Sequence, residues 1–456
     1  MNFFRINKKL INNSIILSLP GFFSIFISLI SIPVHLNIAG AENYGNYIIF
    51  HFILIFAQIL NFGIGKSVVI SINNFPKMSK EISYEGIKYT FYLSIVFTSI
   101  FFIFLDLDLN IPFSISFIDI KIIYLLLGSI ISVWYLTLEG IFQGNEKFKI
   151  LSFFNFIFYS LSLSFPSLLL LKYNSLDNSE LIKIALLIKC MGVFVMLIFI
   201  IFNKYLKRSK KLILYKNLKK NSKWISLNII LIHFYDIIDK ILIKFFIGPI
   251  ALATYSIPQQ LTGKLSILSK GISAFLLPNL SKKNRSFDNL NFSLEIFLRY
   301  LPLIIFAIYP FFEFFLSFWL NEQLDNYILI LTKIFSISVI FSCASHILVT
   351  NFEANKNLNI NLKIEFLILP IFLSLLLYLV ITKQSLVFIS LLILIKEFLL
   401  LTIRLYLMRN LHYNFIKYLL LNLSYFIIIF LSFNYIYIFY LSVLILFIIN
   451  LRLKND

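Results

Sequence analysis

The sequence predicts an all-α polytopic membrane protein with about 14 transmembrane helices, and three observations support this fold class. First, 60% of the 456 residues are hydrophobic and only 13% are charged, whereas soluble domains contain roughly 45–50% apolar and about 25% charged residues. Second, apolar runs of about 20 residues recur from end to end, and a helix of that length crosses a bilayer core about 30 Å thick. Third, the short segments of strict alternation that are typical of transmembrane β-strands are absent from the sequence.

The predicted spans divide the chain into four parts. Residues 1–203 form a first six-helix lobe, 204–223 a basic cytoplasmic linker, 224–409 a second six-helix lobe, and 410–456 two further helices with a tail. The fourteen spans are predicted at residues 11–38, 46–72, 87–105, 119–143, 148–171, 181–203, 222–247, 251–280, 292–320, 325–352, 359–382, 385–409, 415–432 and 435–451.

Loop charges fix the predicted orientation of these spans. The first apolar stretch follows a basic start and has no signal-peptidase-like cleavage site, so we interpret it as an uncleaved span. Lys and Arg concentrate in alternate loops, which places both termini in the cytoplasm by the positive-inside rule. The external loops carry only Lys121, Lys172, Lys183 and Lys383. The same bias explains the net charge of +19 without nucleic acid as a partner.

The middle of the chain suggests an internal repeat. The linker contains nine Lys or Arg between Asn203 and Lys223, which fits either a topology anchor or a surface for anionic lipid or a partner. On either side of it, Gly40 and Gly248 align, as do Tyr47 and Tyr255, each at the junction between the first two spans of a lobe. Parallel repeats of this kind occur in transporters whose substrate site lies between the repeats.

Span 7 carries ionisable side chains at membrane depth, in the sequence "LIHFYDIIDKILIKF". At 100° per residue, His233, Asp236, Lys240 and Lys244 share one face, and Asp239 lies beside it. A carboxylate at that depth costs about 2.5–3.5 kcal/mol if it faces lipid. Two interpretations remain open. Asp236 and Lys240 neutralise each other at i,i+4, or the charged face lines a hydrated cavity and takes part in transport.

Span 8 is the least apolar span and contains Lys264 and Lys270. Lys264 lies near mid-depth, where it either pairs with an aspartate of span 7 or faces a cargo. Lys270, and Lys66 of span 2, lie near the inner interface, where snorkelling is an alternative to cargo binding.

Other polar residues of the spans have simpler interpretations. Lys396 and Glu397 are adjacent and point about 100° apart, so each needs a separate partner. Arg299 is either an anchor or an inner gate residue. Single histidines in apolar surroundings are expected to be structural rather than proton carriers: His35, His51 and His346.

No motif for catalysis, for a cofactor or for a metal site stands out, so we predict a protein that is not an enzyme. The two cysteines, Cys190 and Cys343, lie in separate apolar spans and support neither a disulfide framework nor a metal site.

Several short motifs, in a fixed order over about residues 10 to 370, resemble the Wzx-type polysaccharide-unit flippases of the multidrug/oligosaccharidyl-lipid/polysaccharide exporter superfamily. These are "LNIAGAENYGNY", "GIFQGNEKFKI", "DKILIKFFIGPIALATYS", "AFLLPNLSK" and "VTNFEANKNLNI". The family's characteristic positions map to Gly40, Tyr44 and Gly45, to Gln143, Gly144 and Lys147, to Pro278, and to Ala354 through Asn357.

The resemblance implies two lobes around an alternating-access cavity lined by helices 1, 2, 7 and 8, in a bacterial inner membrane. The implied cargo is an undecaprenyl-diphosphate-linked oligosaccharide for O-antigen, capsule or exopolysaccharide synthesis, handed on to a polysaccharide polymerase. Lys66, Lys264, Lys270 and Arg299 are then expected to bind its diphosphate. Asp236, Asp239, His233 and Lys240 are expected to act as counter-ions or to bind a coupling H⁺ or Na⁺. The two extra helices depart from the family's usual twelve.

Two alternatives remain. A cation-coupled multidrug exporter of the same superfamily would need an acidic cavity for cationic drugs, whereas the lysines here suit an anion. A membrane-embedded polysaccharide polymerase would need a large external loop, and the longest one predicted here has about 14 residues.

Overall fold

The computed structural model describes residues 8–106, 122–173, 176–208, 212–281, 288–308, 311–320, 326–355 and 357–408. Within these ranges the chain forms helices joined by short turns, and no β-strand is found. Predicted spans 13 and 14 lie outside the described residues. We refer to residues 8–208 as the N-terminal half and to residues 212–408 as the C-terminal half.

The described residues of the N-terminal half form seven α-helices, and residues 107–121, between the third and the fourth, lie outside the description. Gly40, at φ 85°, interrupts the first helix between predicted spans 1 and 2. The helices are α1 (Lys8–Ala57), α2 (Ile64–Asn74), α3 (Ser79–Asp106), α4 (Ile122–Gly144), α5 (Phe148–Asn155), α6 (Ser162–Leu169) and α7 (Asn178–Phe202), with a π-helix at Phe156–Leu161 between α5 and α6.

The C-terminal half has the same character. Span 8 is divided into two α-helices by a short 3₁₀ turn, Lys264–Ser266, and span 9 contains the π-helix Ile296–Tyr300. The α-helices are α8 (Leu212–Phe246), α9 (Pro249–Gly263), α10 (Ile267–Leu280), α11 (Asp288–Glu295), α12 (Leu301–Ile308), α13 (Phe312–Leu320), α14 (Asn326–Ala354), α15 (Leu358–Ile381) and α16 (Leu386–Leu407).

A helix or a run of helices occupies each of the first twelve predicted spans, so the all-α membrane fold is confirmed. Seven helical stretches in the described part of the chain are long and apolar enough to cross a membrane, which identifies a multi-pass membrane protein. They are Asn12–Asn61, Ile123–Gly144, Phe148–Leu169, Asn178–Phe202, Tyr327–Ala354, Leu358–Ile381 and Leu386–Leu407. The count of fourteen spans and the orientation of the termini stay predictions.

Two predicted helix starts are displaced: α3 begins at Ser79 rather than residue 87, and the larger displacement is that of span 7. Span 7 was expected to begin at residue 222, but α8 begins at Leu212, so the second part of the basic linker is helical. The segment from Leu212 contains no Gly or Pro to stop the helix, which allows it to extend beyond the apolar run. At the other end of the linker, Lys207 Nζ lies 3.2 Å from Glu81 Oε1 of α3.

The start of α7 shows how a helix end outside the apolar segments is held. Asp177 is its N-cap, and its carboxylate accepts the Glu180 amide at 2.8 Å, while Glu180 accepts the Asp177 amide in return. This hydrogen bond from the Glu180 amide holds the pKa of Asp177 below its usual value. The exchange satisfies two backbone donors that a helix terminus otherwise leaves free.

The repeat suggested by the sequence has structural counterparts. Gly248, like Gly40, has a positive φ, here 129°, and each glycine stands between the first two spans of its half. Tyr47 and Tyr255 are both fully buried. The second span of each half is also broken near its middle, at Gln58–Asn61 in span 2 and at Lys264–Ser266 in span 8. The predicted residue equivalences therefore correspond to equivalent turns.

Candidate functional site

The two halves meet through close packing of α1 against α10. A Cβ added to Gly21 would lie 2.3 Å from Ile267 Cγ2, and one added to Gly271 would lie 2.2 Å from Ser18 Oγ. Small residues at these points let the two backbones approach, as they commonly do between membrane helices. Ser18 Oγ also donates to the Ile267 carbonyl at 3.4 Å. The interface between the halves is therefore where side chains from both can form one site.

Near the Gly40 and Gly248 turns, polar side chains join the halves directly. Tyr44 Oη donates to Gln260 Oε1 at 3.3 Å. Lys244 Nζ donates to Asn46 Oδ1 at 2.8 Å, which gives this lysine of the charged face of α8 a partner in the other half.

The three predicted cavity lysines come from both halves. Lys66 belongs to α2, with its side chain 34% exposed, and the Lys270 side chain on α10 is exposed. Lys264 is half-buried, donates to Ser24 Oγ at 2.6 Å and interacts electrostatically with Lys270. Among the described residues no carboxylate pairs with Lys264, so the expected partner on span 7 is not the one it takes.

Two glutamates that the sequence analysis did not single out complete this group. Lys66 Nζ lies 2.5 Å from Glu353 Oε1 of α14, so this lysine has a carboxylate partner in the other half. Glu139 of α4 interacts electrostatically with both Lys66 and Lys270, and His346 interacts with the same two lysines. These shared partners place the groups close together. We call Lys66, Glu139, Lys264, Lys270 and Glu353 the inter-half charge cluster.

The two aspartates of α8 differ in burial and in hydrogen-bond partners. Asp239 is 1% exposed, and its carboxylate accepts Tyr255 Oη at 2.6 Å, the Lys240 amide at 2.8 Å and Lys240 Nζ at 3.2 Å. Lys240 Nζ also donates to the backbone carbonyl of Asp236. Of the two interpretations left open by the sequence, the i,i+4 neutralisation of Asp236 by Lys240 is therefore wrong, because the lysine stem turns toward the neighbouring carboxylate. Asp239 is the counter-ion of Lys240.

Asp236, by contrast, is exposed and interacts electrostatically with Lys396 and His346. Lys396 Nζ lies 2.8 Å from Glu397 Oε1, so the prediction of separate partners for these adjacent residues is wrong. A flexible four-carbon stem spans the angular offset that separates neighbouring positions on a helix. His233 lies in α8, and its side chain is outside the described set.

Arg299 lies in the π-helix of span 9 and is 9% exposed, with its guanidinium 5.7 Å from the Tyr300 ring centroid. None of the contacts described for it reaches the inter-half charge cluster. Its proposed role as a cavity cation or an inner gate stays a prediction.

A hydrogen-bond chain in the C-terminal half leads to Glu353. Arg404 forms an ion pair with Glu365, and Arg404 Nε donates to Asn361 Oδ1 at 2.8 Å. Asn361 Nδ2 donates to Asn228 Oδ1 at 2.5 Å, and Asn228 Nδ2 donates to Glu353 Oε1 at 3.4 Å. Every bond in the chain is donated in the direction of the Glu353 carboxylate.

The N-terminal half buries basic groups of its own. His35 Nδ1 lies 2.9 Å from Ser167 Oγ, as expected of a structural histidine. Lys189 is 5% exposed, donates to the Phe158 carbonyl of the π-helix at 3.0 Å and lies 4.0 Å from the Phe158 ring centroid. His51 interacts electrostatically with Lys189.

The family profile described as polysaccharide biosynthesis protein matches residues 10–284, more than half of the chain. The chain belongs to the polysaccharide biosynthesis protein family. The resemblance drawn from the sequence motifs is thereby confirmed at the level of family. No curated protein matches the chain by sequence.

Three solved structures that share this fold are transporters. An aspartate variant of the Vibrio cholerae MATE transporter VcmN is 14% identical, with 90% of this chain and 99% of that chain covered at a TM-score of 0.63. An outward-facing multidrug resistance MATE family transporter of the MOP superfamily is 13% identical, with 84% and 92% covered at 0.59. A MOP superfamily transporter from Pyrococcus furiosus, for which reverse polarity of the binding pocket is described, is 12% identical, with 86% and 93% covered at 0.55. At these identities the likeness shows the fold alone.

Proposed function

We propose that this member of the polysaccharide biosynthesis protein family flips lipid-linked oligosaccharide units across a bacterial inner membrane by alternating access. The cargo is an undecaprenyl-diphosphate-linked repeat unit for O-antigen, capsule or exopolysaccharide synthesis, delivered to a polymerase at the outer leaflet. The transporter fold and the family support this proposal. The two predicted lobes are the bodies that move relative to each other.

The convergence of lysines from both halves is the observation that carries the proposal. A diphosphate entering a low-dielectric interior needs cationic hydrogen-bond donors, which form its strongest contacts. Lys66, Lys264 and Lys270 supply three ammonium groups against the two carboxylates of the inter-half charge cluster. Gln259 and Gln260, on α9 beside Lys264, add amide groups for hydroxyl-rich cargo.

The other predicted site residues take supporting roles in this proposal. Asp236 is exposed and electrostatically linked to Lys396, so it is the best candidate on α8 for binding a coupling H⁺ or Na⁺. Asp239 and Lys240 form a buried pair that keeps the charged face of α8 in place. His233 and Arg299 stay candidates for coupling and for an inner gate.

A cation-coupled multidrug exporter is the second candidate, because MATE transporters share the fold and because Asp236 offers a carboxylate to a cation. The lysines of the inter-half charge cluster disfavour this candidate, since they repel cationic drugs.

Deleting the gene in its host and measuring lipid-linked intermediates by mass spectrometry tests the proposal. We expect complete undecaprenyl-diphosphate oligosaccharide to accumulate on the cytoplasmic side and surface polysaccharide to be lost. Wild type and a Lys172→Glu variant, altered at an exposed loop lysine, should restore export. Unchanged intermediates in a host without a second flippase would refute the proposal, and drug-efflux assays would then test the alternative.

A further inference from the structure

We propose that Glu353 is an internal competitor of the cargo. In the empty protein it neutralises Lys66, and the anionic phosphate group of a lipid-linked cargo displaces it, which separates the two halves at this end of the bundle. This inference rests on the proposed function and adds a specificity-determining residue to it. Only a cargo with an anionic group can take the place of a carboxylate at an ammonium group.

Lys66 and Glu353 differ in how accessible they are to a competitor. The Glu353 side chain is 3% exposed and lies in the wall formed by α14, whereas the Lys66 side chain is 34% exposed. The ammonium group is therefore the more accessible of the two charged groups. Because Lys66 is partly solvated, exchanging one anionic partner for another costs less than it would in a dry interior.

Each partner also has electrostatic support within its own half, so neither is left isolated when the pair opens. Glu353 accepts Asn228 Nδ2, at the end of the chain of donors that begins at Arg404. Lys66 interacts electrostatically with Glu139 of the N-terminal half. An uncompensated buried charge would make separation very unfavourable, and this arrangement avoids that cost.

Among the described residues, two polar contacts between the halves lie near this end, the Lys66–Glu353 pair and a neutral hydrogen bond. Gln143 Nε2 of α4 donates to the Ala274 carbonyl of α10 at 2.8 Å and is a neutral hydrogen bond that water can replace. Of these two contacts, the Lys66–Glu353 ion pair is the charged one. Displacing Glu353 thus removes the stronger connection and couples cargo binding to opening.

Binding of undecaprenyl diphosphate to the full chain in lipid nanodiscs, followed by native mass spectrometry, tests the competition. Glu353→Gln keeps an acceptor for Asn228 and removes the competing charge, so we expect roughly tenfold tighter binding. Asn228→Ala deprives the released carboxylate of its donor, so we expect about fivefold weaker binding. Glu42→Gln makes the same charge change at an exposed position on α1 and should leave affinity unchanged.

Distances between spin labels test the separation. Cysteines at Lys149 and Asn359, exposed residues at the starts of α5 and α15, report on the Glu353 end, with the native cysteines replaced. Cysteines at Lys172 and Gln384 report on the opposite end. We expect undecaprenyl diphosphate, but not neutral undecaprenol, to lengthen the first distance. In the Glu353→Gln variant, the distance between labels at Lys149 and Asn359 should already be longer than in wild type when no lipid is present.

The outcomes separate this inference from the proposed function. If wild type binds undecaprenyl diphosphate but Glu353→Gln binds it equally or more weakly, the competitor role is wrong and the flippase proposal stands. If Asn228→Ala binds more tightly than wild type, the competitor role is likewise overturned, even where Glu353→Gln fails to fold. If no variant binds the diphosphate lipid, both ideas fall together.

Discussion

Replacing Asp239 by Asn measures how strongly the charge pair on α8 is needed for folding. Asp239 and Lys240 are 1% and 3% exposed, and the carboxylate also accepts Tyr255 Oη at 2.6 Å. Removing one partner of a buried pair costs about 3–5 kcal/mol, because it leaves an uncompensated charge. The Asn side chain still has an oxygen for the Lys240 amide at 2.8 Å. We therefore expect a loss near the lower limit, about 3 kcal/mol.

The assay is the free energy of unfolding, measured by titrating sodium dodecyl sulfate into mixed micelles. Asp239→Asn and Lys240→Met should each destabilise the fold, whereas the double variant should recover most of the loss, because neutral replacement of a buried pair is often tolerated. Asp177→Asn is the control, since Asn caps a helix as well as Asp does. A double variant as unstable as the sum of its single variants would refute the mutual neutralisation.

Transport by the same variants separates a structural role from a coupling role. Asp239→Asn should weaken transport more than Asp177→Asn does. If Asp239 serves only as the counter-ion of Lys240, the double variant regains transport together with stability. If stability returns and transport does not, the carboxylate itself takes part in coupling.

Three further predictions concern other parts of the chain. Lys264→Glu should abolish surface polysaccharide while leaving the protein level in the membrane unchanged on immunoblots, and normal polysaccharide would remove this lysine from the cargo site. Gly140→Ala should destabilise the fold by about 1–3 kcal/mol, because the added Cβ would lie 2.3 Å from the Gly65 carbonyl oxygen. Gly263→Ala, which has open space around it, should not destabilise the fold. Asp177→Ala should speed hydrogen exchange at the start of α7 about fivefold. Because the pKa of Asp177 is lowered, the contribution of this carboxylate to stability is present above the usual pKa of 3.8 and is lost only as the pH falls through the lowered pKa. Once the intrinsic exchange rate is corrected for, protection at this cap should therefore be constant between pH 5 and 8.

The helices and the turns between them could be predicted because membrane insertion leaves their signal in local sequence. Apolar runs of membrane-spanning length mark seven of the helical stretches in the described part of the chain. A positive φ at Gly40 and Gly248 follows from a sharp turn that favours glycine. The lysines Lys66 and Lys264 stood out for the same reason, as charges within apolar runs. These inferences depend on residues close together in the chain.

The pairings between charges could not be predicted, because they depend on distant residues and on rotamers. Lys66 and Glu353 are 287 positions apart in the sequence. Glu353 lies just beyond the end of a predicted span, where an acidic residue is ordinary and gives no sign of a site. Helical spacing offers Asp236 as one possible partner of Lys240, but the lysine side chain bends to Asp239 instead. Geometry of this kind exists only once the helices are packed.

The signs of the buried charges in the two halves favour an anionic cargo over a cationic drug. In the C-terminal half, buried cations have carboxylate partners, as Arg404 has Glu365 and Lys396 has Glu397. In the N-terminal half, Lys189 is bound to a backbone carbonyl and a phenyl ring, and no carboxylate pairs with it among the described residues. Together with the three lysines that face two carboxylates in the inter-half charge cluster, this difference supports the proposed diphosphate cargo over a cationic drug.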